Sequence, residues 1–206
     1  HYGASIFDGE LENGSRLKLS QETEYPWHGR IRIVLDDVPE EPFAISLRIP
    51  AWAFGAALTV NGQNESPPSA NAYATLERHW RVGDLIELDL PMNVRLLEAN
   101  PRVEACRNHV AVMRGPLVYC LESPDLPENV PVCDIRIPRD IQLKQHFDPE
   151  LLGGITVLEG EANAMESRTW GQSLYRELNS CNSVVLPIRL IPYYAWSNRG
   201  ISEMTV

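Results

Sequence analysis

A chain of 206 residues with 44% hydrophobic and 22% charged side chains has the make-up of an ordinary globular protein. It can bury one large core or two of roughly 100–150 residues, and no segment reaches the ~20 consecutive apolar residues needed to span a bilayer. The formal charge of -10, with 18 Lys and Arg scattered along the chain, repels phosphate backbones and excludes nucleic acid as a natural partner.

In chain order, His1 to Ile6 carry no basic stretch and no apolar run of signal-peptide length, and the location expected is cytoplasmic. Short runs of period two then recur between clusters of Gly, Pro, Asn and Asp, while helical periodicity is hard to find. Arg30 to Val34, Ile45 to Ile49 and Leu85 to Leu90 alternate apolar and polar residues, which predicts strands with one wet face. The Asn-Gly pair in Val60-Asn61-Gly62-Gln63 predicts a type I′ hairpin, because both residues tolerate positive φ. Arg81-Val82-Gly83-Asp84 reads as a turn into the strand from Leu85, Pro91 ends that strand, and Asn64 to Asn71 reads as loop.

A second block of strand-like runs starts with His109 to Met113 and Leu117 to Leu121, separated by a turn at Gly115-Pro116. Asp134 to Ile137, Ile155 to Glu159 and Val184 to Ile191 follow as candidate strands. Asp140 to Leu152 fits either a strand or a short helix, and Met165 to Leu178 stays unassigned. Many short strands with no alternating helices predict an all-β chain of two antiparallel β-sandwich domains in tandem, residues 1–104 and 105–206.

The cysteines, Cys106, Cys120, Cys133 and Cys181, form neither a C-x-x-C pair nor a dense disulfide framework and read as reduced thiols. Cys120, inside an apolar run, reads as buried and inert. The five histidines have no recognisable catalytic partner, no G-x-S-x-G elbow is present, and Gly153-Gly154 opens no phosphate loop. Glu22 and Glu24, two apart, read as solvated strand-edge charges rather than a glycosidic pair.

Six strings occur in a fixed order: Thr23 to Gly29 (TEYPWHG), Leu47 to Trp52 (LRIPAW), Val60 to Gly62 (VNG), Arg78 to Asp84 (RHWRVGD), Arg114 to Tyr119 (RGPLVY) and Tyr194 to Gly200 (YAWSNRG). Together they resemble the C-terminal region of the beta-L-arabinofuranosidase family, glycoside hydrolase family 127. The resemblance implies a non-catalytic accessory region that follows a helical (α/α)6 catalytic toroid, stabilising it or docking on it. It also implies that the family's zinc-held cysteine nucleophile, with its Glu-x-Cys and Cys-Cys pairs, lies in that other domain. This chain has no adjacent Cys-Cys, and its Glu104-Ala105-Cys106 is read as a chance match. No catalytic residue, metal ligand or cofactor is therefore assigned here, and the chain alone is not expected to be an enzyme.

The alternative function is a carbohydrate-binding module that stacks sugar rings on Tyr25, Trp27, Trp52, Trp170 or Trp196. Tyr25 with Trp27, and Tyr194 with Trp196, would share a face if their strings were extended, although buried corner packing is the favoured reading of both. Arg48 and Arg114 each interrupt an apolar run and are candidates for structural ion pairs or for docking against the catalytic domain. Self-association and carbohydrate are further candidate partners.

Overall fold

The computed structural model describes residues 2–165, 174, 175, 177 and 183–206, so Trp170 and Cys181 lie outside the described residues, as does most of Met165 to Leu178. The regular structure of the described residues is antiparallel strand with a few short 3₁₀ turns, and the chain divides into two compact units, His1–Asn93 and Val94–Val206. The expected division at 104/105 falls inside the second unit. The reason is local: the strand Val94–Glu98 pairs along its whole length with Val110–Arg114, so the stretch around Asn100-Pro101 connects two neighbouring strands. None of the described helices is long and apolar enough to cross a membrane.

Unit 1 contains β1 (Ser5–Glu10), β2 (Arg16–Thr23), β3 (Arg30–Asp37), β4 (Phe43–Ile49), β5 (Ala57–Val60), β6 (Gln63–Asn64), β7 (Ala72–Arg78) and β8 (Leu85–Asp89). A six-stranded sheet runs in the order β1-β2-β3-β8-β5-β6, and β4 pairs with β7 in a two-stranded ribbon. The alternation seen in the sequence places Ile31, Ile33 and Leu35 of β3 and Ile86 and Leu88 of β8 on one face. They form a single apolar core with Leu47, Ile49 and Leu76 of the ribbon, which makes the unit a sandwich. On the wet face Arg32 bridges its cross-strand neighbours Glu22, 3.2 Å away, and Glu87, 3.6 Å away.

The expected hairpin is present: Val60 opposes Gln63, with positive φ at Asn61 and Gly62. Asn61 also accepts a hydrogen bond from the Leu85 N–H at 2.9 Å and donates to Asp84 at 2.9 Å, tying one turn to another. Gly29 faces a different constraint, since a Cβ there would lie 1.8 Å from the Leu90 carbonyl oxygen. Only a hydrogen side chain lets the two backbones meet.

Unit 2 contains β9 (Val94–Glu98), β10 (Val110–Arg114), β11 (Leu117–Glu122), β12 (Ile135–Arg136), β13 (Lys144–Asp148), β14 (Ile155–Met165), β15 (Ser183–Pro192) and β16 (Met204–Thr205). All belong to one eight-stranded sheet: β12-β14-β15-β11-β10-β9, with β13 added to β14 and β16 to β11. Asp140 to Leu152, which the sequence leaves between helix and strand, holds β13. Gly115, with positive φ, makes the two-residue turn between β10 and β11.

Neighbouring residues in this sheet join different clusters. Tyr119, Leu121, Leu158 and Leu190 belong to the larger one, while Cys120, Val157 and Ile191 belong to a second with Ile155 and Ala195. Because successive side chains point to opposite faces, the middle of the sheet is buried on both sides. The second side is covered by a 3₁₀ turn, Tyr193–Ala195, with Leu151 and Met204 packed against the same cluster.

Candidate functional site

Unit 1 brings four of its less buried polar and aromatic residues together. Arg48 on β4 and Tyr73 on β7 are opposite each other in the ribbon register and both point away from the core. Tyr2 donates its hydroxyl to the Arg48 carbonyl at 2.7 Å, and its ring meets Tyr25 edge-on with centroids 6.2 Å apart. Burial pushes the Tyr2 hydroxyl up to about 12, and burial raises that of Tyr25 as well, against the opposite pull of the nearby Arg48 charge. Both are neutral phenols at physiological pH, suited to hydrogen bonding and not to proton abstraction. Among the described residues no carboxylate forms an ion pair with Arg48.

Tyr25 and Trp27 do not share a strand face. The Trp27 and His28 N–H groups both bond back to the Glu24 carbonyl, so the string after β2 is a turn. Trp27 is 51% exposed, whereas Tyr25 and Trp52 are half-buried against the unit 1 core. Glu22 is held by Arg32, and Glu24 lies 3.7 Å from His28.

In unit 2 the pairing of Tyr194 with Trp196 is likewise replaced. The segment is a 3₁₀ turn, in which residues three apart lie over each other, and Tyr193 stacks on Trp196 with centroids 6.1 Å apart and ring planes at 18°. Trp196 is 37% exposed and Tyr194 51%. Arg114 is buried and donates to Gln145 at 2.6 Å. It also serves the Tyr119 hydroxyl, which burial pushes up to about 12 and which donates to the Thr156 carbonyl at 3.0 Å. Its guanidinium thus holds β10, β11 and β13 in one place.

The most deeply buried charge in the described chain was not singled out from the sequence. Glu122, at the end of β11, is fully buried. It accepts hydrogen bonds from the Ser197 N–H at 2.9 Å, the Ser202 hydroxyl at 2.9 Å and Arg199 Nε at 3.1 Å. Arg199 reaches Asp125 with its other edge, Nη1 to Oδ1 at 2.9 Å. Burial works to raise the Glu122 carboxyl, but these donors outweigh it and hold the group below the usual glutamate range. A carboxylate so filled with donors has no lone pair to offer a substrate, and its role is to fasten the segment after β15 to the end of β11. The signal was present: an acidic residue ends the apolar run Leu117 to Leu121, and an Arg sits within Ser197-Asn198-Arg199-Gly200.

Cys106, Cys120 and Cys133 are the thiols among the described residues. Cys120 lies in the second apolar cluster, where burial and then the Glu122 charge push it up to about 11. Cys106 and Cys133 are exposed free thiols, and the Glu104 carboxylate lies 3.8 Å from Arg107. Among the described residues no three His, Cys, Asp or Glu converge. A groove of about 630 Å³ in unit 2 includes Cys106, His109 and Glu98, the one carboxylate in its lining, so it lacks the carboxylate pair of the two-carboxylate glycosidases.

Comparison with known proteins accounts for both units. Residues 1–92 match the model described as the beta-L-arabinofuranosidase GH127 middle domain, and residues 94–206 match the glycoside hydrolase family 127 C-terminal domain. A non-reducing end beta-L-arabinofuranosidase of Bifidobacterium longum subsp. longum is 33% identical over 205 residues, which are 95% of this chain and 30% of that protein. A solved structure titled glycoside hydrolase superimposes with a TM-score of 0.89 at 45% identity, over 100% of this chain and 34% of the other. A GH127 beta-L-arabinofuranosidase from Geobacillus stearothermophilus T6 gives a TM-score of 0.89 at 39% identity, over 100% of this chain and 32% of its own. The chain thus spans about a third of the length of these relatives, and by its middle and C-terminal domains it belongs to glycoside hydrolase family 127.

Proposed function

We propose that these residues are the non-catalytic accessory region of a cytoplasmic glycoside hydrolase resembling beta-L-arabinofuranosidases, stabilising or docking on an (α/α)6 catalytic domain that holds the zinc and the nucleophile. The observation that carries this reading is the end-to-end match to a middle and a C-terminal domain at about a third of the relatives' length. The internal chemistry supports it, since the buried carboxylate and the buried thiol are both consumed by packing. The test is to offer the purified chain an aryl beta-L-arabinofuranoside. No release of the aryl group is expected; hydrolysis that survives both chelation and cysteine alkylation would overturn the proposal.

A second reading is favoured by the surface aromatics Trp27, Tyr193, Tyr194 and Trp196. An accessory region could also hold carbohydrate by stacking sugar rings on them. Titration with arabinan oligosaccharides at millimolar concentration reads this out as a change in tryptophan fluorescence. An unchanged spectrum removes it.

A further inference from the structure

We propose that the rung formed by Arg48 and Tyr73, flanked by Tyr2 and Tyr25, is the seat on which the domain preceding the middle domain docks, through a carboxylate set over Arg48 and an apolar surface laid on Tyr73. This rests on the accessory reading and names the face that serves it. The rung has the form of one half of a contact. Tyr73 is 67% exposed, and Arg48 is a fixed cation with no ion-pair partner among the described residues. An aromatic beside an Arg is the composition that interface cores favour. The next rung along the ribbon, Ser46 hydrogen-bonded to Thr75 at 3.0 Å, is polar and already satisfied.

The route of the chain singles out the occupant. Tyr2 is pinned to β4 by its hydroxyl at the Arg48 carbonyl, and the Gly3 carbonyl accepts from Gln21 at 2.6 Å. Any polypeptide leading into Tyr2 therefore arrives at the edge of this rung. A domain joined there is held at high effective concentration against it, with almost no tether entropy to lose. The chain matches the middle and C-terminal domains of relatives about three times its length, so the remaining part of such a protein joins on this side.

Hydroxyl-radical footprinting of this chain and of the full-length protein carrying it tests the assignment. Tyr73 should be oxidised about tenfold more slowly in the full-length protein, because a packed interface core excludes water. Arg48→Glu should restore part of its reactivity there while leaving the denaturation midpoint of this chain unchanged. If Tyr73 reacts equally in both proteins while other aromatics of these residues become protected, this face is wrong and the accessory reading stands. If none becomes protected, both fail. Protection that appears in this chain alone and grows with its concentration identifies a second copy as the occupant and overturns the proposal.

Discussion

Unit 1 and unit 2 solve the same problem of covering sheet faces by different means. In unit 1 the six-stranded sheet lies against the β4–β7 ribbon, and the core between them is built from apolar side chains, from Ile31 to Leu90. Unit 2 has one sheet buried on both faces at its middle, and a 3₁₀ turn with part of the following segment lies over the second face. A charged clamp from Glu122 through Arg199 to Asp125 fixes that covering. Apolar area is forgiving about geometry, whereas a buried clamp demands every donor. Sensitivity to pH and to single polar substitutions should therefore concentrate in unit 2.

Removing the clamp's cation is the strongest way to break this contrast. Arg199→Met leaves Glu122 buried without its counter-charge, at a cost of about 3–5 kcal/mol. In urea unfolding the unit 2 transition should move to much lower denaturant and the unit 1 transition should stay. A core deletion in unit 1, Leu88→Ala, should cost about 2–5 kcal/mol with the two transitions exchanging roles. Gly29→Ala forces the Leu90 backbone away and should cost unit 1 about 1–3 kcal/mol, read from the same curves.

Acidification sharpens the comparison. The Glu122 carboxyl is lowered from the ordinary 4.5, so the unfolded chain binds its proton first as pH falls. Its contribution is complete above about pH 4.5 and is lost progressively as pH drops through the folded value. Acid unfolding followed by separate probes should thus begin in unit 2. In native chain, Cys106 and Cys133 should react with iodoacetamide while Cys120 waits for unit 2 to open, and Arg199→Met should speed Cys120 selectively. The smallest effect is expected from Arg16→Ala, whose exposed pair with Asp8 should leave the unit 1 midpoint within error.

Much of the fold was legible because it follows local rules. The alternation in β3, β4 and β8 reports their buried faces directly, and Asn61-Gly62 and Gly115-Pro116 set their turns through backbone preferences. Less could be read where the rule is not local. β1 is exposed along almost its whole length and has no apolar stripe to announce it, and β13 carries one hydrophobic residue among five. The aromatic pairs were misplaced because residues two apart meet a shared surface only in extended chain, and both strings are turns. Of the surface cluster, Tyr25 and Arg48 stood out in sequence, but their meeting with Tyr73 depends on the β4–β7 register. Glu122 and Arg199 escaped for the same reason, being far apart in the chain and joined only when β15 and β16 take their places beside β11.

That last arrangement bears on how the protein is made. Glu122 emerges from the ribosome long before Arg199, Ser202 and the β16 residues that pair with β11. At elongation speeds of about 5–20 residues per second, the nascent second unit spends seconds with that carboxylate facing water and the Cys120 side of its sheet uncovered. Unit 1 has all its strands by then. Translation itself therefore schedules the two halves, the first folding on apolar contact as it appears and the second closing only when its latch has been synthesised.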